Sequence, residues 1–135
     1  MTNWRAQDWG LLVLRVVVGI VALIHGGQKL FVFGLGGTVA FFGKLGLPAF
    51  AAYFAAFAEF LGGASLLLGV LTRVGAALLV IDMLGAIFTV HLKNGFFNPL
   101  GFEYPLTLLA ANLCLLIAGA GALSVDAAIW KLKKL

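Results

Sequence analysis

A few polar side chains sit where an apolar sequence has little reason to keep them. Glu59 falls eleven residues after Pro48, or about 16 Å along a helix. Asp82 falls nine residues after Arg73, Asn112 is central in the last apolar run, and Arg15 lies about a turn from the centre of the first. If those runs cross a bilayer, each acid sits near its middle, where a lone charge costs about 2.5 to 3.5 kcal/mol on insertion scales. Such groups should face a bundle interior and take a partner or a proton. The expected pairing is Arg15 with Glu59, Asp82 or both. It reads either as a clamp holding helices in register or as a buried site for protons or a redox carrier's head group.

His25 and Lys29 are four residues apart and share a helix face. On a wheel of about 100° per residue, Arg15 lies within about 80° of His25 and about 40° of Lys29, so the three predict one polar stripe. His91 ends the third apolar run. Two histidines on different helices suit a metal or haem, but no further spacing motif supports either. A satisfied interfacial histidine, or a donor to a quinone oxygen, is the simpler reading. The following segment, "VHLKNGFFNPLGFEYPL", gathers Lys93, Asn94, Glu103 and Tyr104 with Phe96, Phe97 and Phe102. Asn-Gly, Asn-Pro and Tyr-Pro make it turn-rich. It is either a plain return turn with interfacial aromatics or a lid whose rings cover a flat ligand.

The elements that must position these groups follow from composition. Of 135 residues, 63% are hydrophobic and 10% charged, and mean hydropathy is +1.12. A soluble domain carries about 25% charged residues, so the surplus apolar surface must face lipid. The sequence predicts an all-α integral membrane four-helix bundle, a single domain over 1–135, with spans at about 9–30, 48–70, 73–92 and 105–121. Gly34-Leu-Gly-Gly37 should break the chain after the first span, with a helical turn or two at the interface over Thr38–Leu45. Pro48 and Pro105 suit first helical turns, and Thr72 suits an N-cap. The first span is too long for a cleaved leader and is expected to be retained. Cys114 is alone, which excludes an internal disulfide or a redox pair and leaves a buried packing role.

Four spans put both termini on the same side. That side holds Arg5, Arg73, Lys131, Lys133 and Lys134 against Lys29, Lys44 and Lys93 on the other, which predicts cytoplasmic termini. The tail, 124–135, reads as an amphipathic helix on anionic lipid. Its short lysine cluster beside a span does not suit nucleic acid.

The pattern resembles the DoxX family of small bacterial four-helix membrane proteins. The resemblance runs from about Leu11 to Asp126 on "LLVLRVVVG", "HGGQKL", "GLPAF", "EFLGG", "LTR", "DML", "HLKNGFF", "EYPL" and "LSVD". It implies association with membrane oxidoreductase systems, including thiosulfate:quinone oxidoreduction, or with resistance to quinones, catechols or thiol stress. It supplies no settled catalytic motif.

The resulting expectation is a multi-pass protein of the bacterial cytoplasmic membrane. It would bind a quinone-like or other small redox molecule as an accessory or subunit of an oxidoreductase system, with no self-contained redox centre. The candidate residues are Arg15, His25, Lys29, Glu59, Asp82, His91, Asn94, Tyr104 and Asn112. A quinone is the candidate cofactor; haem and metal are not expected. The lipid bilayer is the expected partner, with a redox protein and a second copy of the chain left open. The alternatives are a small proton-coupled transporter or permeation subunit, and a structural scaffold.

Overall fold

The computed structural model describes residues 3–134. Met1, Thr2 and Leu135, at the outer edges of the expected domain and tail, lie outside the described residues. The chain folds into helices α1 (Ala6–Gly27), α2 (Gly34–Lys44), α3 (Ala49–Leu68), α4 (Thr72–Ala86), α5 (Glu103–Ala118) and α6 (Val125–Leu132). A π-helical turn, Gln28–Val32, prolongs α1; another, Ile87–His91, followed by a 3-10 turn, Leu92–Asn94, prolongs α4. Backbone amides in lipid must pair within their own segment, which favours helices for so apolar a chain.

With those extensions, Ala6–Val32, Ala49–Leu68 and Thr72–Asn94 are each long and apolar enough to cross a membrane. The fourth helix of the bundle, α5, is shorter than the span expected for it. Gly119 takes a φ of 81° and ends it at Ala118.

α1 and α3 run antiparallel in close contact, and α4 packs between α3 and α5. Small residues set the α1–α3 distance. A Cβ on Gly26 would strike the Phe60 backbone, and one on Gly63 would strike the backbone of Leu23. Water supplies no drive between helices in lipid, so close backbone packing of this kind holds them together. The interior cluster is small: Val18, Ala22, Leu66, Ala76, Leu79 and Leu115. Large apolar side chains such as Ile24, Phe57, Val74 and Ile117 point outward instead, as a lipid-facing surface requires.

Three local expectations change. The segment after α1 is not a loop with a short helical turn: only Gly34, at φ 71°, breaks the path, and α2 starts there and runs to Lys44. Thr72 does not cap α4. Leu71 occupies that position in a left-handed conformation, and the amides of Leu71 and Thr72 donate to the Asp126 carboxylate at 2.8 and 3.0 Å. A cap supplied from the far end of the sequence is invisible to a local reading. Cys114 is exposed rather than buried.

The two chain ends meet at one end of the bundle. Asp8 Oδ1 accepts from the Ala122 amide at 2.9 Å, and Oδ2 accepts from the Arg5 amide at 2.9 Å. Both termini therefore lie on the same side, here called the terminal end. The opposite, loop end carries α2 and the α4–α5 connection.

Candidate functional site

Arg15 is 2% exposed and belongs to the terminal end. Its Nη1 donates to the carbonyls of Leu66 and Leu67 at 2.9 and 3.2 Å, and its Nη2 to the carbonyl of Leu123 at 2.5 Å. The last carbonyls of α3 have no helical partner of their own, and a cation there also meets the negative end of the helix dipole. Gly69 makes room: a Cβ there would come within 2.6 Å of Arg15 Nη1. The expected pairing of Arg15 with Glu59 or Asp82 is thus corrected. The α3 carbonyls are nearer along the axis and, with Leu123, engage both Nη groups, while Nε has no partner among the described residues.

The cation that meets Glu59 is Lys29. Its Nζ lies 2.6 Å from Glu59 Oε2, with both side chains mostly buried. Helical Cα–Cβ bonds tilt toward the N-terminus, so Lys29 reaches back from the end of α1 toward mid-span. The close approach at Gly26 brings α3 within that reach. Lys29 stands in the π-helical turn, and the hydroxyl of Thr38 on α2 donates to its carbonyl at 2.9 Å. The turn therefore ties α2 to the residue that pairs with Glu59. π turns recur at functional sites.

Lys29 and Glu59 border a cavity of about 570 Å³ at the loop end. His25, Asp82, His91, Tyr104 and Asn112 line the same space. Asp82, on α4, borders the same cavity as Glu59, so two carboxyl groups face one space. His91 Nδ1 lies 3.0 Å from the Leu100 carbonyl. Asn112 donates from Nδ2 to the Leu108 carbonyl at 2.9 Å, and its Oδ1 has no partner among the described residues.

Two candidates stand apart. Arg15 does not line the cavity, so the expected stripe of Arg15, His25 and Lys29 splits between the two ends. Asn94 is exposed and donates to the Val90 carbonyl at 3.0 Å, closing its own turn.

The aromatic wall also differs from expectation. Phe96 stacks edge-on against Phe97 and Phe102, and none of the three borders the cavity. Glu103 accepts from the Asn98 amide at 2.9 Å, so this connection is a self-braced turn. The rings that do line the cavity are Phe41 and Phe42 of α2 and Phe50 and Phe54 of α3. Sequence reasoning passed over them because phenylalanine in an apolar helix normally meets lipid or core. The available signal was the adjacent pair Phe41-Phe42 in a segment expected to form a helical turn or two at the interface. Phe50 is 74% exposed and Ile81 is 56% exposed, and both border the cavity. The space is therefore a cleft with an apolar mouth and a polar inner wall.

In chemical terms, the lining offers an ion pair, a second carboxyl and an amide in its buried part, with the exposed His25 and Tyr104 and the half-buried His91 around them, framed by flat rings. Such a wall can hold and orient an amphiphile with polar oxygens. Its carboxyl pair can take up or release a proton.

Known proteins align with nearly all of this chain. CatD of Bacillus subtilis, named "Putative oxidoreductase CatD", is 40% identical over 130 residues, covering 96% of this chain and 94% of that protein. The inner membrane protein YqjF of Escherichia coli is 33% identical, covering 90% and 93%. The inner membrane protein YphA of the same organism is 31% identical, covering 93% and 99%. No solved structure matches the chain at the same stringency. The DoxX family pattern matches residues 10–92, a stretch that contains Arg15, His25, Lys29, Glu59, Asp82 and His91. With the relatives just described, that match establishes that this membrane protein belongs to the DoxX family.

Proposed function

We propose that the chain binds a flat, quinone-like redox molecule in the loop-end cavity. It would act as an accessory or subunit of an oxidoreductase system in the bacterial cytoplasmic membrane. The observation that carries this reading is the cavity itself: apolar and aromatic at its mouth, ionisable at its inner wall. Its volume falls within the usual range of small-molecule sites, about 300 to 1,000 Å³. Phe41, Phe42, Phe50 and Phe54 suit a ring and an apolar tail. Lys29, Glu59 and Asp82 suit proton exchange, and His25 or His91 suits a hydrogen bond to a ring oxygen. The name of CatD supports the oxidoreductase association.

A single cysteine offers no dithiol chemistry. In this reading the chain binds, orients and handles protons, and a partner protein supplies the redox centre. In this reading the terminal end, with Arg5, Arg73, Lys131, Lys133 and Lys134, faces the cytoplasm, an orientation that the balance of lysine and arginine supports.

The test is equilibrium titration of the purified protein in nanodiscs with ubiquinone and menaquinone analogues. Saturable binding should weaken about tenfold or more in Glu59→Gln and His25→Ala. Binding indifferent to both substitutions overturns the site. A proton-coupled transporter is the rival reading, favoured by the mid-span carboxyls. It needs passage through the terminal end, where Arg15 is buried and both its Nη groups are held by backbone carbonyls. Solute uptake by proteoliposomes under a proton gradient would favour it.

A further inference from the structure

We infer that the ligand enters the cavity sideways from the bilayer and leaves its tail there, so that the site takes the head group of a long-tailed, membrane-dissolved molecule. The inference rests on the quinone-site reading and adds where the ligand comes from and what it carries.

A pocket fed from water opens past the ends of its helices; one fed from lipid opens along their sides. Ile81 and Gly85 stand one turn apart near the middle of the Thr72–Asn94 span. Both are exposed, and both border the cavity. An exposed side chain at that depth meets hydrocarbon rather than water. Phe54, 37% exposed, continues the rim on α3, and Phe41 and Phe50 carry it toward the loop end. Leu84 and Phe88, which flank Gly85 on α4, are exposed and lie outside the cavity. The mouth is thus continuous with the lipid-facing surface of α4.

The loop-end side offers water little. Phe42, Leu45 and Leu47 line it, whereas Lys93, Asn94 and Glu103 of the α4–α5 connection do not border the cavity. Among the described residues, the exposed polar lining is His25, Thr89 and Tyr104, and Thr89 spends its hydroxyl on the Gly85 carbonyl at 2.6 Å. A space of about 570 Å³ cannot enclose a long polyprenyl chain together with its ring. A side mouth has no need to: the chain stays in lipid, which is as apolar as the protein face beside it.

A Cβ at Gly85 would meet nothing within 4 Å, so a large side chain there fills the mouth without displacing a helix. The experiment titrates the nanodisc-embedded protein with menadione, which has no tail, and with a menaquinone carrying a long polyprenyl tail. Each is counted as its mole fraction in the bilayer. On that scale the long-tailed compound should bind no more than about threefold weaker than menadione, because its tail never leaves lipid. Gly85→Trp should weaken the long-tailed compound about tenfold or more and leave menadione within about threefold, since only a tail must cross the rim in the bound state. Gly10→Trp, equally free of neighbours within 4 Å but at the terminal end, should change neither. Ile81→Trp, on the same rim, serves where Gly85→Trp fails to fold. Long-tailed binding about tenfold or more weaker than that of menadione, or a rim substitution that affects both compounds alike or neither, overturns the inference and leaves the quinone site standing. Binding of neither compound removes the quinone site and this inference together.

Discussion

The two ends of the bundle use charge in opposite ways. At the terminal end, charged side chains are spent on the backbone. Arg15 holds carbonyls of α3 and the α5–α6 link, Asp8 holds the Ala122 amide, Asp126 holds the start of α4, and Arg73 donates to the Ile117 carbonyl at 3.1 Å. At the loop end, Lys29 pairs with Glu59, and Asp82, Asn112 and the two histidines face a cavity rather than a helix terminus. The physical lesson concerns location. A charge beside a helix end finds ready partners, because the last carbonyls and first amides of a helix are unpaired. A charge at mid-helix finds a fully bonded backbone and must look to other side chains or a ligand. The first arrangement fastens the fold; the second keeps polar capacity in reserve.

The sharpest way to break this contrast is to remove Arg15. Arg15→Met strips a charged donor from three carbonyls and should destabilise the protein by about 3 kcal/mol or more, read from thermal or denaturant unfolding in detergent. Ligand affinity of the folded fraction should stay within about twofold of the parent. Wild-type stability in this variant would show that the terminal end is not fastened by Arg15.

A double substitution at the loop end should do the reverse. Lys29→Met with Glu59→Gln removes both charges of a buried pair, a change that is often neutral for stability or gains about 1 to 4 kcal/mol. Quinone-analogue binding should fall about tenfold or more. If stability collapses while binding survives, Lys29–Glu59 is a fold clamp and the two ends do the same job.

The smallest effect is expected at Asn94. Its side chain closes its own turn outside the cavity, so Asn94→Ala should change stability by about 0.5 kcal/mol or less and leave binding unaltered. Lost binding would extend the site into the α4–α5 connection and blur the division between a polar cleft and a plain turn.

Much of the fold was legible without coordinates. Four long apolar runs, turn residues between them and a scarcity of charge predict the helical membrane bundle, and α3 starts beside Pro48 as its sequence suggests. The candidate residues were legible as types, since a polar side chain inside an apolar run stands out. Their partners were not. Arg15 and Glu59 are both near the middle of their runs, and nothing local says that Arg15 lies level with the C-terminal turn of α3. The cavity's phenylalanines were hidden for the opposite reason: they match their surroundings in composition.

The sequence by itself determined the solvent this chain must live in and the residues it can use there, because hydropathy and side-chain type are local properties that survive any packing. Tertiary structure alone decided who meets whom. It aligned Lys29 with Glu59 through a glycine contact at Gly26, sent Arg15 to a helix end, and brought Asp126 back to cap α4. Those pairings depend on the relative height and rotation of neighbouring helices. Steric fit between distant segments fixes both quantities, and no run of adjacent residues contains them.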